Sequence, residues 1–372
     1  MSTSPRWLPP AALLLGALVF LPMFGHPFFR DDLGWVERAR AALPHPAQWW
    51  AIAKTDFRPL ASFSFVLDYA AVKLDPRGYH LFDLLLHLVD VSLLMALVRR
   101  LSGGSGWAAG VAGLLFACAF GNYGEAVYWI SGRTGPLADA FVLAALIAHW
   151  DHLEGTGPSG SALFLFVVAL LAKETAVMLV PLLVMLEWAH GPVSWRRVAP
   201  FALLAAAYVA FVFLVWRAGS AVVGGDFALG PHVARNLVEY LVRMFVPLAR
   251  IPHGVALPLG AVLAVLFAWL LTRRIPRTWK FALLWIPVTI LPVAFLDLRS
   301  STRYLYLPSM GLAALLGMAW ASAWATAPVR RRGLAVGIAL ALAVQVAVMQ
   351  VVLARRGELA RREAQSQPGG DS

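Results

Sequence analysis

Apolar runs long enough to cross a bilayer recur along this chain, broken by short polar gaps, and that pattern leaves very few folds open. Hydrocarbon offers no partner for backbone N–H and C=O groups, so a spanning segment must be a helix or a strand of a closed barrel. A barrel would show ten-residue segments of alternating polarity, whereas these runs are continuous. Only 14% of residues are charged and 60% are hydrophobic, against roughly 25% charged in a soluble domain. The expected fold is an all-α polytopic membrane protein with about eleven transmembrane helices and interfacial helices in its first external loop.

Charge orients the chain. The net charge is +11, which in a soluble protein would suggest nucleic acid. Here the basic residues cluster between apolar runs, as the positive-inside rule requires, so no nucleic-acid partner is expected and the bilayer is the partner. Arg99-Arg100, Trp195-Arg196-Arg197, the group Arg273, Arg274, Arg277 and Lys280, and Arg330-Arg331-Arg332 mark the cytoplasmic side. Spans are expected over Trp7–Phe24 (uncleaved), His80–Val98, Trp107–Phe120 and Gly135–Trp150. A fifth ends at Lys173-Glu174, followed by Thr175–Trp188, Pro200–Trp216, Val255–Thr272, Phe281–Phe295, Leu307–Ala325 and Leu334–Leu353. The apolar but charged stretch 232–249 is read as an interfacial or re-entrant helix. Were it a span, the Arg273–Lys280 group would lie outside. The membrane unit is then 1–353, with a first external loop at 26–79 and a second long external segment at 217–253. A polar tail, 354–372, is expected to be disordered.

Several polar constellations stand out. Asp31-Asp32 follows the first span; the pair suits a general base with a neighbour that positions substrate or helps hold a divalent cation, and equally a solvated loop or helix cap. His80, Asp83, His87 and Asp90, at spacings of three, four and three, share one face of the second span. They could hold a metal, relay protons, or form a hydrogen-bonded seam between helices. Glu125 with Arg133 could bind a sugar or phosphate, or form an interfacial ion pair. Lys173-Glu174 and Arg303-Tyr304 could hold a lipid phosphate, or simply snorkel at the interface. The single cysteine, Cys118, lies inside an apolar run and permits no intrachain disulfide. No phosphate-binding Gly loop, hydrolase elbow or zinc-protease motif is present in the sequence.

Taken in order, Phe57-Arg58-Pro59-Leu60, Leu67-Asp68-Tyr69, Gly78-Tyr79-His80-Leu81, Leu84-Leu85-Leu86-His87, Glu125-Ala126-Val127, Trp129 to Thr134, Ala172-Lys173-Glu174-Thr175 and Arg303 to Ser309 resemble the C-type (GT-C) integral-membrane glycosyltransferases. Within them, the resemblance is to the transmembrane O-mannosyltransferases that carry tetratricopeptide repeats, and to bacterial relatives. It runs from about Arg30 to Gly311, and the repeats themselves are missing.

The resemblance implies a GT-C-like fold, a polyprenyl-phosphate sugar donor, a catalytic acid in the first external loop, and inverting transfer to a hydroxyl acceptor on a protein or an envelope glycan or lipid. The site would face away from the cytoplasm of an inner (plasma) membrane. On that basis Asp31 and Asp32 are the candidate catalytic residues, and Lys173, Arg133 and Arg303 the candidate donor-phosphate ligands. Arg58, His80, His87, Glu125, Glu174 and Tyr304 complete the candidate substrate-binding set. No cofactor is implied beyond a divalent cation, for which Asp31 and Asp32 would be the ligands. The chain departs from the family pattern at Phe120 to Gly124, where His-Pro and a second His are usual, at Asp83 and Asp90, where Asn is usual, and at Gly135, where an acid is usual. A transporter or flippase, or a ligase, for a lipid-linked glycan is the alternative function.

Overall fold

The computed structural model describes residues 6–52, 56–212, 214, 229–246, 253–296, 301–326 and 328–366. Lys54, the end of the seventh expected span, residues 217–228 and 247–252 of the second external segment and the stretch from Asp297 to Ser300 lie outside the described residues, as do residues 367–372.

The first helix, α1 (Leu8–Phe20), starts with Pro in its first turn and runs on through a 3-10 turn at Leu21–Gly25. Two helices follow in the first loop, α2 (Asp32–Ala42) and α3 (Pro59–Val72). Pro59 opens α3 as expected, because its missing N–H would be unsatisfied there anyway. The long α4 (Pro76–Leu101) has Asp75 as cap, its carboxylate accepting from Arg77 N at 3.0 Å. Then come α5 (Gly106–Ala117), the single turn α6 (Glu125–Tyr128), and α7 (Thr134–Leu153). The chain continues through α8 (Ser161–Ala172), α9 (Leu179–His190), α10 (Trp195–Phe211) and α11 (Pro231–Phe245). It ends with α12 (His253–Thr272), α13 (Arg277–Ala294), α14 (Tyr306–Thr326) and α15 (Arg331–Ser366).

By length and composition, six segments among the described residues can cross a membrane: Leu8–Gly25, Pro76–Leu101, Ile130–Leu153, Gly254–Thr272, Thr302–Thr326 and Arg331–Glu363. The protein is a multi-pass membrane protein. The expected eleven is not reached on this measure: α5, α8 and α9 have 12 residues each, about 18 Å of helix where the hydrocarbon is about 30 Å thick, and α10 and α13, of 17 and 18 residues, also fall outside the six. The α11 segment is not among the six either; its buried face carries Asn236, Tyr240, Val242 and Met244, and the Asn236 amide donates to Ala294 O and Leu296 O at 2.9 and 2.8 Å.

Helices α1, α4, α5, α7, α13 and α14 form the core, with α5 packed on α1, α4 and α14. Small residues set this closeness: a Cβ on Gly317 of α14 would stand 2.5 Å from Ala108 O of α5. The first loop builds a second core in which Trp35, Val36, Phe65, Tyr69, Tyr79 and Ile130 meet, with Trp35 stacked on Phe65 at 4.7 Å. The loop aromatics were expected to lie in the membrane interface. Part of them instead form a platform seated on α4 and on the Ile130 turn, since aromatic faces bury more area against one another than against headgroups.

Two boundaries differ from expectation. Pro200 sits inside α10 instead of opening it. Residues 354–366, expected as disordered tail, continue α15 as helix. Their Arg, Glu and Ala residues favour helix, and Arg356 reaches Glu125 at 3.6 Å. Gln345 and Gln350 anchor the same helix lower down, donating to Ala119 O at 2.8 Å and Val19 O at 3.0 Å.

Candidate functional site

Arg30, with φ of 51°, turns the chain from the end of the first span into α2, a left-handed conformation that side chains other than Gly, Asn and Asp seldom adopt. The two acids that follow have different surroundings. Asp31 is exposed at the helix cap, and its side chain makes no hydrogen bond among the described residues. Asp32 is 1% exposed. One of its oxygens accepts from Phe29 N at 2.9 Å; the other accepts from Ser131 N at 2.8 Å and from the Ser131 hydroxyl. Burial pushes its pKa up to about 6, and these bonds hold it from rising further. Asp32 therefore pins the start of α2 to the turn before α7.

That turn, Ile130–Arg133, links the acids to a group of cations. Trp129 donates to Phe29 O at 3.4 Å. The Arg303 guanidinium lies 4.5 Å over the Trp129 ring and 5.0 Å from the Tyr304 ring, to whose hydroxyl it donates at 3.2 Å. Lys173 Nζ also sits near Tyr304, 5.5 Å from its ring centre. Lys173 is 9% exposed, and its ammonium has no hydrogen bond or ion pair among the described residues. Burial, with Arg58 nearby, pulls its pKa down, against the opposing pull of Glu174 and of the buried Asp139 of α7. The neighbouring Glu174 is taken: Arg58 grips it through two bonds, 3.0 and 2.7 Å. Burial opposes ionisation of Glu174, but Arg58 outweighs it and its pKa falls to about 2.

Glu125 sits at the next corner. It is 7% exposed and accepts from Ser301 and Thr302 at 2.7 and 3.1 Å. Its other oxygen faces Arg356 at 3.6 Å and Arg30 at 4.0 Å. Burial pushes its pKa up, while Ser301, Arg356 and Thr302 more than offset this and leave it below the usual range. The loop before Glu125 carries Gly121 at φ of 112°, and a Cβ there would collide with the Ser309 side chain, so glycine is required twice over.

Asp31, Asp32, Arg58, Glu125, Lys173, Glu174, Arg303 and Tyr304 thus gather around Trp129 and Tyr304. Three residues expected with them stand elsewhere. Arg133, expected on the donor phosphate, is fully buried between Asp68 and Asp83, 2.8 Å from the latter, with Phe65 at 4.4 Å and Phe82 at 4.8 Å on its faces. Both carboxylates neutralise it, leaving no side open to an anion. His80 and His87, expected on the substrate, are 1% and 0% exposed. His87 Nδ1 lies 2.9 Å from Tyr306 Oη, which donates to Asp90 at 2.7 Å; His80 meets His26 O at 3.3 Å. The second-span stripe is a polar seam between α4, α5 and α14. Among the described residues no group of three or more His, Cys, Asp or Glu side chains is disposed to hold a metal ion.

Residues not foreseen are Ser131, Ser301, Thr302, Arg356 and Asp139. Asp139, an acid in the middle of the expected fourth span, was visible in the sequence as an anomaly; the hydroxyls carried no such signal.

No family model matches the chain. It is 32% identical over 161 residues to the protein O-mannosyl-transferase tmtc2 of Xenopus laevis, covering 40% of this chain and 19% of that protein. It is 35% identical over 123 residues to Tmtc1 of Drosophila melanogaster, covering 32% and 14%. The match thus spans about a fifth or less of the length of these relatives. Among solved structures, ArnT from Cupriavidus metallidurans bound to undecaprenyl phosphate superposes with a TM-score of 0.59 at 16% identity, over 95% of this chain and 76% of that one. Its apo form gives 0.55 at 15% identity over the same shares. The chain has the GT-C fold that its motifs implied, and it resembles the O-mannosyltransferases.

Proposed function

We propose that this chain is a glycosyltransferase that moves a hexose, mannose-like by the names of its relatives, from a polyprenyl-phosphate donor to a hydroxyl acceptor on the extracytoplasmic side of the membrane. The observation that carries the reading is Lys173: an almost buried ammonium that makes no hydrogen bond among the described residues, stands close to Tyr304 and within electrostatic reach of Arg303 and Arg58, and faces only Glu174, which Arg58 already grips, and Asp139. Three cations, Lys173, Arg58 and Arg303, repel one another in this low-dielectric site, and a further anion beside Lys173 and Arg303 lowers that cost. The ArnT structure holds undecaprenyl phosphate, which supports a lipid phosphate as that anion.

Asp31 is the base in this scheme. A general base needs a free lone pair directed at the hydroxyl it deprotonates. Asp32 has spent its oxygens on Phe29 and Ser131, whereas Asp31 has not. Asp31 takes the proton from the acceptor hydroxyl, whose oxygen attacks the anomeric carbon in line. The bond to the phosphate oxygen breaks and the polyprenyl phosphate leaves with the electron pair, held by Lys173 and Arg303. Asp32 holds the first loop in register, and the Arg58–Glu174 pair orients the Lys173 turn. The extracytoplasmic placement rests on charge: Arg99-Arg100 lie at the far end of the 26-residue α4 from Tyr79 and the platform.

The test is transfer of labelled hexose from a polyprenyl-phosphate donor by the purified full chain. Loss of transfer in D31N with donor binding retained supports the scheme. Transfer at the parental rate in D31N removes Asp31, and translocation of the donor with no new glycosidic bond replaces the transferase by a transporter.

A further inference from the structure

A second compartment adjoins the site. A cavity of about 950 Å³ lies between α15, the α6 turn and the end of α11. The face that α15 turns to it changes character along its length. Val348, Val351 and Val352 come first; Arg355 and Arg356 follow one turn on, at the i+3 and i+4 spacing that keeps them on the same face. Arg30 and Arg243 also line the cavity, and Glu125 is the carboxylate among its lining residues. Glu125 has one oxygen committed to Ser301 and Thr302, and only long contacts to Arg356 and Arg30 on the other. Thr302 lines this cavity, while its neighbour Arg303 faces Trp129 and Lys173.

We propose that this cavity is the acceptor site, and that its acceptor is an anionic, acyl-chain-bearing lipid with a free hydroxyl. The inference rests on the transferase reading. An apolar stretch giving way to arginines along one helix face is the polarity profile of such a lipid, with chains against the valines and an anionic headgroup at Arg355 and Arg356. A peptide or soluble glycan would leave the valine stretch unmatched, because α15 is mostly exposed where it would meet hydrocarbon. Glu125, whose outer oxygen faces Arg356 and Arg30, fixes where those arginines hold the headgroup and so places its hydroxyl beside the Thr302 turn with the proton free. In the transfer the lipid oxygen bonds to the anomeric carbon, that carbon's bond to the donor phosphate breaks, the electron pair stays on the phosphate, and the hydroxyl proton goes to Asp31.

Two measurements decide it. The first is native mass spectrometry of the full chain with equal phosphatidylglycerol and phosphatidylcholine. Phosphatidylglycerol should be retained in preference, and R355Q/R356Q should lose about tenfold of that preference with helix content and unfolding temperature unchanged. Equal retention of the two lipids, or an unaltered preference in the double variant, overturns the anionic-lipid site. The second supplies labelled polyprenyl-phosphate hexose with either an anionic envelope-lipid fraction or a Ser/Thr-rich peptide. Label in the lipid supports the proposal. Label in the peptide alone overturns it and leaves the transferase intact. Label in neither overturns the transferase, and with it the acceptor role.

Discussion

In the proposed scheme two adjacent acids have different tasks. Asp31 keeps its lone pairs and its exposure; Asp32 gives up both to fix the loop. D31N should therefore lower transfer by ~10²–10⁴-fold at an unchanged unfolding temperature. D32A should cost about 1–3 kcal/mol of stability, because Phe29 and Ser131 are left with buried unpaired donors. The pH dependence separates them further. The folded-state pKa of Asp32 is raised, to about 6, so the folded state holds that proton more tightly than the unfolded chain. Stability from this group is present at low pH and lost as pH rises through 6. Glu174 has the opposite sign: its pKa is lowered to about 2, so its contribution is present above its unfolded value near 4.5 and fades as pH falls towards 2. Thermal melts from pH 4 to 7 should show a decline that D32A removes and that an Arg58 variant leaves in place. Lys173→Met should weaken donor binding by tenfold or more while the protein stays folded, read by titration with polyprenyl phosphate.

At the scale of the element, the buried Arg133 ties the first-loop platform to the bundle. It joins Asp68 of α3 to Asp83 of α4 from the start of α7. R133M should destabilise by about 3–5 kcal/mol, since two carboxylates are left without a counter-charge. The triple variant R133M/D68N/D83N should recover part of that, measured by denaturation in detergent. The same residue shows where reading the sequence stops. The helices, their order and the polar face of α4 follow from local periodicity, and Pro59, Asp75 and Ser105 mark helix starts by chemistry confined to a few residues. Arg133 looks like any phosphate-binding arginine until Asp68 and Asp83, 65 and 50 residues away, close on it. Lys173 is the reverse case: its sequence neighbour Glu174 suggests a pair, and only the fold shows Arg58 gripping Glu174 while the ammonium faces the buried Asp139 of α7. The polarity of the last turns of α15 reads as a tail because their partner, Glu125, lies more than two hundred residues earlier.

At the scale of the whole molecule, contacts across the chain set its sidedness more firmly than its count of spans. Arg356 meets Glu125, and Glu125 meets Ser301 and Thr302, so the last helix's end, the α6 turn and the turn before α14 occupy one end of the bundle. Arg100 grips Asp151 through two bonds, 2.7 and 2.8 Å, at the other end. Reporter fusions at the C-terminus and within residues 26–52 should thus report the same side of the membrane, and fusions in the Glu154–Gly160 loop the opposite one. A split between the first two would overturn the sided placement of the acids.

Thr302 and Arg303 are consecutive residues, their Cα atoms about 3.8 Å apart, yet Thr302 lines the α15 cavity while Arg303 faces the Trp129 and Tyr304 rings. Two guests lodged on either side of so thin a partition begin as near neighbours. If the proposed donor and acceptor sit on those two sides, they are held a few ångströms apart before they react, the arrangement that turns a two-body encounter into a local one.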